Sequence, residues 1–231
     1  MITHEIKITA SFDAELRNCK VFADANPKVI LIQLLERKEA DFFEKEVMMI
    51  HEKAEKEFVM AGLPIIDWCK ELMPWNDPAV DRRPESGEFA EEILQLVEKQ
   101  LLPKLREQYG NLPCIFGGYS LGALFALWGS TKSTEFKAIA AASPSVWIAN
   151  WMEYVAKHPI KAKKVYMSLG DREEIVKNQH MKRVGDNIRA YHQQLLELMG
   201  EENTVLEWNQ GGHFLDFEKR ICNAFLWCLK G

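Results

Sequence analysis

No stretch of the chain approaches the roughly 20 consecutive apolar residues that a membrane-crossing helix needs. The opening residues, 1–10, alternate apolar and polar side chains and lack the charged leader and apolar run of a secretory signal. Cysteine is scarce and odd in number: Cys19, Cys69, Cys114, Cys222 and Cys228 show no paired spacing suited to a metal or a disulfide framework. These absences predict a cytoplasmic protein with free thiols, Cys114 being buried and inert inside an apolar strand. Basic residues are not gathered either. The 29 Lys and Arg and 34 Asp and Glu give a net charge of −5 and are scattered, leaving no stripe to track a phosphate backbone. Neither nucleic acid nor a membrane is expected as a partner. Repeats, low-complexity tracts and metal or cofactor motifs are missing too, so no metal and no cofactor is expected, and nothing in the pattern sets an oligomeric state.

What is present suits one core. With 231 residues, 47% of them hydrophobic, the chain is expected to form a single domain over residues 1–231. Short β-rich runs alternate with longer helical patterns, which predicts an α/β fold: a mostly parallel central sheet with helices on both faces. Residues 3–10, 18–23 and 29–35 are strand candidates separated only by turns, and they predict antiparallel strands at one edge. Residues 41–57 carry Phe42, Val47, Ile50 and Ala54, with Phe58 next in the series, as the buried stripe of a helix. After a strand at 58–61, residues 62–84 are rich in Pro, Trp and Asp and read as a long irregular wall of a site. A helix over 88–109 has Ile93, Leu96, Val97, Leu101 and Leu105 on one stripe, with Pro103 kinking its last turns before Gly110. Further strands are expected at 114–119, 138–142, 165–169 and 204–209, and helices at 120–129, 181–199 and 214–229. The second of these helices is expected to bury Val184, Ile188, Tyr191, Leu195 and Leu198, and the last to bury Phe217, Ile221, Phe225 and Leu229.

Gly118-Tyr119-Ser120-Leu121-Gly122 is a G-x-S-x-G pattern. Alone it is weak, since average glycine and serine usage would produce it in about one chain in ten of this length. Its position between a strand and a helix gives it meaning: a nucleophile elbow holds its serine in strained dihedrals on a sharp turn, and flanking side chains would collide there. The following helix aims its free amides at the reacting carbonyl, and Leu121 N–H is the natural first oxyanion donor. The competing reading is a glycine-rich turn that only packs a helix on a sheet.

A serine hydroxyl needs a base within hydrogen-bonding reach. His4 lies in the edge strand, His51 and His192 in charged helices, and His158 and His180 in polar connections, all expected to be solvated. His213, in Gly211-Gly212-His213-Phe214 between the last strand and last helix, sits where such sheets place their sites. The chain order serine, acid, histidine of these hydrolases puts the acid between Ser120 and His213. Gly170-Asp171-Arg172-Glu173-Glu174, at another strand's carboxyl end, offers Glu173, with Asp171 as the alternative.

At these residues the chain resembles the esterase family of α/β hydrolases that includes enterochelin-esterase-like proteins and, more distantly, feruloyl esterases, S-formylglutathione hydrolases and mycolyltransferases. The resemblance runs from about Val29 to Leu229. Besides the elbow it rests on Asp67-Trp68 with Met73-Pro74-Trp75, on Ala142-Ser143-Pro144-Ser145-Val146-Trp147, and on Gly211-Gly212-His213. It implies an α/β-hydrolase fold and a serine carboxylic ester hydrolase that works through an acyl-enzyme on a small-molecule ester. Trp147 is then a pocket wall and Trp68 a substrate contact. The sequence departs from many relatives at Leu35-Glu36-Arg37-Lys38, which lacks the glycine of the loop that gives the second oxyanion N–H, and in having Glu173 for the commoner aspartate. Alternative functions are an acyltransferase using the same serine and a non-catalytic hydrolase-fold binding protein. No concentration of arginine suits a highly anionic siderophore, which argues against enterochelin itself. Trp68, Trp75, Trp147 and Trp151 would suit an aromatic or sugar ester.

Overall fold

Val, Ile, Leu and Phe dominate the short runs that pair, and they assemble one eight-stranded sheet in the order β1-β2-β4-β3-β5-β6-β7-β8. The strands are β1 (Ile2–Thr9), β2 (Leu16–Ala23), β3 (Val29–Leu35), β4 (Phe58–Pro64), β5 (Cys114–Tyr119), β6 (Phe136–Ala142), β7 (Lys164–Gly170) and β8 (Thr204–Asn209). The helices are α1 (Phe43–His51), α2 (Trp68–Leu72), α3 (Ala90–Leu96), α4 (Leu102–Tyr109), α5 (Ser120–Lys132), α6 (Trp151–Lys157), α7 (Val184–Met199) and α8 (Phe217–Leu229). This is a computed structural model, and it describes residues 1–36 and 39–230.

Two apolar layers hold the sheet between its helices. On one face Ile32, Leu34, Val59 and Phe116 pack against residues of α3, α4, α5 and α7 such as Ile93, Leu105, Phe125 and Ile188. On the other, Leu31, Phe58, Met60 and Ile115 pack against Val47 and Ile50 of α1 and Ile221 and Phe225 of α8. Alternate residues of β3 thus face opposite layers, as the two-residue period of a strand requires. From β4 through β8 every neighbouring pair is parallel. The chain turns from β3 to β4 on one side and later adds β5 on the other, which puts the topological switch point, where open α/β sheets receive ligands, at the carboxyl ends of β3 and β5.

Several expectations need correction. Only β1 and β2 form the antiparallel edge; β3 is interior, parallel to both β4 and β5, because β4 comes between it and β2. An all-apolar run such as Val29–Leu35 is what a strand covered on both faces carries. The first helix spans only Phe43–His51, so Phe43 is buried where Phe42 was expected, and Phe58 belongs to β4. Residues 62–84 are less irregular than expected, since β4 reaches Pro64 and α2 occupies Trp68–Leu72. Pro103 brings a π turn over Val97–Leu101 ahead of α4, a widened turn that accommodates a residue with no N–H to donate. Leu198 is exposed, as is Phe214, three residues before α8 begins.

One carboxyl of α1, on a helix that reads as charged and solvated, is buried instead. Glu46 of α1 is 0% exposed and accepts a hydrogen bond from Gln33 Nε2 at 2.8 Å. Burial pushes its carboxyl up from 4.5 to about 8; the Gln33 bond opposes this and the nearby Glu39 adds to it. Between those two values the unfolded chain has released the proton and the native one keeps it. The stability this group contributes is therefore full below about pH 4.5 and is lost as pH rises through about 8. Glu46→Gln removes that loss, so urea unfolding should show the variant and parent within about 0.5 kcal/mol near pH 5 and the variant more stable by about 2–4 kcal/mol near pH 9.

Candidate active site

Ser120 stands where β5 ends and α5 begins, with φ at +55°, a conformation that costs a side-chain-bearing residue of order 1–3 kcal/mol. The elbow glycines make room for two different neighbours. A Cβ on Gly118 would lie 3.0 Å from the Gly122 carbonyl carbon, so these two backbones touch across the turn. A Cβ on Gly122 would instead meet the Trp68 ring at 3.1 Å, which means that the second glycine seats an indole. Leu121 follows Ser120 in the first turn of α5, where helical geometry supplies its N–H with no acceptor. The helix beyond is buried from Leu121 to Thr131, which anchors the elbow to the core.

Three side chains from three loops meet there. His213 Nε2 lies 2.9 Å from Ser120 Oγ, and His213 Nδ1 lies 2.6 Å from Glu173 Oε2. Burial raises the Glu173 carboxyl, but hydrogen bonding with His213, its charge, the Gly170 N–H and the Ser143 hydroxyl together hold it below the usual carboxylate range. It is thus ionised behind the ring near neutral pH. The other acids of that turn are engaged elsewhere. Asp171 Oδ1 accepts the Gly211 N–H at 2.7 Å, bracing the histidine loop, and Glu174 pairs with Arg189.

Four contributors were missed by sequence reasoning. Arg220, 1% exposed on α8, donates to Glu173 Oε1 at 2.7 Å, to Ser143 Oγ at 3.1 Å, and to the Gln210 and Gly212 carbonyls. Its signal was present, because Arg220 falls on the stripe between Phe217 and Ala224, a place where a charged residue needs partners. Ser143, at the end of β6 with φ at +46°, donates to Glu173 Oε1 at 2.9 Å. Ser145 Oγ lies 3.3 Å from Ser120 Oγ, and its N–H bonds the Ser120 carbonyl. Both serines lie in the run 142–147, for which the resemblance implies a role only at Trp147. Tyr119, its phenol pushed up to about 12 by burial, donates to the His213 carbonyl at 2.5 Å.

The half-buried Trp68 and Trp147 lie on the segments that follow β4 and β6. Trp147 packs partly on the larger core layer, and Val146 beside it accepts from Asn187 at 2.7 Å. Trp151 is fully buried, and so belongs to the core and not to a cleft wall. Trp75 Nε1 donates to the Ala149 carbonyl at 2.9 Å, and Asp77 accepts the Ala149 N–H at 2.7 Å, which ties the segment after α2 to the loop after β6. Arg83 clamps Asp67, the cap of α2, with both terminal nitrogens.

Of the remaining histidines, His192 is less solvated than expected: its Nε2 is buried without a partner among the described residues, burial pulling its ring below the ordinary histidine value. His51 is exposed, as expected, and contacts Asp24 at 3.1 Å. Leu35 accepts the Ile65 N–H and Glu36 donates to Glu39 Oε2, while Arg37 and Lys38, the rest of the glycine-free loop that stands where many relatives place a second oxyanion donor, lie outside the described residues. Among the described residues no group of three or more His, Cys, Asp or Glu could hold a metal ion, and no helix is long and apolar enough to cross a membrane.

A family profile described as "Putative esterase" matches residues 33–223. The chain belongs to this family. Membership supports ester hydrolysis as the activity class of this esterase. No curated protein matches its sequence. Among solved structures it is similar to an IroE-like serine hydrolase from Shewanella oneidensis, with a TM-score of 0.77 at 14% identity over 96% of this chain and 78% of that one. It is also similar to the siderophore hydrolase EstA from Aspergillus nidulans, with a TM-score of 0.73 at 18% identity over 99% and 95%. The enterobactin esterase FES from Shigella flexneri gives a TM-score of 0.71 at 17% identity over 99% of this chain, which spans 59% of that one. At such identities the likeness shows a shared fold, the α/β-hydrolase fold expected from the elbow.

Proposed function

We propose that this esterase is a serine carboxylic ester hydrolase acting through an acyl-enzyme, with Ser120 as nucleophile, His213 as general base and Glu173 as the acid that orients it. The observation that carries the reading is the unbroken line Ser120 Oγ, His213 Nε2, His213 Nδ1, Glu173 Oε2, with contacts of 2.9 and 2.6 Å. Ser120 Oγ attacks the ester carbonyl carbon and its proton passes to His213 Nε2; the tetrahedral oxyanion takes a hydrogen bond from Leu121 N–H. Collapse breaks the bond to the alcohol, which leaves with the proton from His213. Water then repeats the sequence on the acyl-enzyme, its proton going to His213 and on to Ser120 Oγ as the carboxylic acid departs. Glu173 stabilises the imidazolium in both halves.

Trp68 and Trp147 are proposed to flank the bound ester, and the seat of the Trp68 ring on Gly122 supports a position beside the reacting carbon. Trp68→Ala should raise KM for an aryl ester about five- to thirtyfold with a smaller fall in kcat, the pattern of lost apolar contact. The free cysteines among the described residues suit a reducing compartment such as the cytoplasm. We further propose that the whole chain works as a single domain on a small-molecule ester.

Turnover of p-nitrophenyl acetate by purified protein tests the reaction class. Release of p-nitrophenol that saturates with substrate and is lost in Ser120→Ala is expected; equal rates for parent and variant would remove the assignment. Adding an alcohol acceptor separates hydrolase from acyltransferase, and the hydrolase reading requires acetate as the main product. Because solved structures of similar fold include a siderophore hydrolase and an enterobactin esterase, enterobactin belongs in the ester screen.

A further inference from the structure

Arg220 does more around Glu173 than hydrogen bonding requires. Glu173 Oε1, the oxygen turned away from His213, already receives the Gly170 N–H at 2.7 Å and the Ser143 hydroxyl at 2.9 Å. Two donors satisfy a carboxylate oxygen. The guanidinium at 2.7 Å therefore adds chiefly a fixed positive charge, one that is always present and is buried at 1% exposure. Its placement is not explained by an ideal fit, since its Nε is buried with no acceptor among the described residues.

We propose that Arg220 is a positioning residue that sets the acidic end of the pH range in which His213 works as a base. The inference rests on the proposed roles of Ser120 and His213. Glu173 favours the imidazolium across a 2.6 Å contact. Arg220, 2.7 Å from the other oxygen of the same carboxylate, carries a charge that opposes the imidazolium, so its removal is expected to narrow the working range at the acidic end. The same side chain fixes where the ring sits: it bonds the Gln210 and Gly212 carbonyls, and at 3.3 Å the Tyr119 hydroxyl that itself donates to the His213 carbonyl.

The other groups around the ring leave these two charges in control. Asp171 and Arg172 on the loop after β7 and Asp216 on the loop of His213 are exposed, hence screened. Tyr119 from β5 is neutral, because burial pushes its phenol up to about 12. On α8, Glu218 is drawn off by Lys45 and Lys219 is exposed. Ser120, Ser143 and Ser145 carry no charge.

The test is the rate at which a fluorophosphonate labels Ser120, followed across pH in the parent and in Arg220→Lys, Arg220→Gln, Glu173→Gln and the double variant Glu173→Gln with Arg220→Gln. The parent and Arg220→Lys should share an acid limb within a few tenths of a unit, while Arg220→Gln should move that limb up by about one pH unit. Glu173→Gln alone leaves the arginine charge unopposed, so its limb should lie about one unit below that of the double variant. The double variant removes both buried charges together, so this comparison does not depend on Arg220→Gln folding. Coincident limbs for Glu173→Gln and the double variant, or for the parent and Arg220→Gln, would reduce Arg220 to a structural role and overturn the proposal while the base reading stood. A parent that never labels at Ser120 would overturn the base reading, and this inference with it.

Discussion

Replacing Ser120 by alanine is expected to lower kcat for ester hydrolysis by about 10⁴–10⁶, with His213→Ala costing nearly as much and the pair together little more than either. The reason for the shared loss is chemical: without the hydroxyl there is nothing for the imidazole to activate, and without the imidazole the proton on Ser120 Oγ has nowhere to go. The same position predicts an opposite effect on stability. Ser120 is held at φ +55°, where a Cβ is strained and glycine is not. Ser120→Gly should therefore be as inactive as Ser120→Ala yet unfold at higher temperature than either the parent or the alanine variant, by an amount equivalent to about 1 kcal/mol. Steady-state kinetics and calorimetry on the three proteins measure both effects. A residue more stable as glycine and active only as serine is one whose strain serves chemistry.

The second large effect concerns the acid. Glu173→Gln should lower kcat by about 10³–10⁴ near neutral pH, because an amide facing His213 Nδ1 no longer selects the tautomer that leaves Nε2 free to accept the Ser120 proton. It should also destabilise the fold by about 3 kcal/mol by leaving Arg220 as a buried, uncompensated cation, a loss that neutralising Arg220 as well largely restores. Asp171→Asn is the contrast. Its Oδ1 can still accept the Gly211 N–H as an amide oxygen, so kcat should fall less than about tenfold. The two acids sit two residues apart on one turn, and kinetics on these variants separate their roles: a large loss at 171 with little at 173 would transfer the acid's role to Asp171.

Much of this arrangement is legible in the sequence. Strand ends followed by Gly, Ser, Asp or His announce the carboxyl edge of a parallel sheet, and Ser120, Glu173 and His213 all fall in such loops. Local pattern carried that information because each loop is defined by its own few residues. What escaped was whatever depends on two distant segments meeting. The interior place of β3 arises from β4 being laid between it and β2, a choice of pairing partner that no window of sequence contains. Glu46 reads as one more charge on a charged helix until Gln33 of β3 is found beneath it. Arg220 has the same history: on α8 it breaks an apolar stripe, and only the loops after β6, β7 and β8 give that break a purpose. The hydrophobic period placed Ile221 and Phe225 correctly but began the helix at Phe214, three residues before α8 starts. Trp68 shows the remaining kind of miss, since Gly122 looked like part of the serine's own turn and instead accommodates an indole from another loop.

One measurement bears most directly on the central claim. Protein labelled with a fluorophosphonate near neutral pH and digested for peptide mapping should carry a single phosphonyl group on Ser120, absent from Ser120→Ala and formed at least about a hundredfold more slowly in His213→Ala. An adduct on another residue, or a rate unchanged when His213 is removed, would contradict the account.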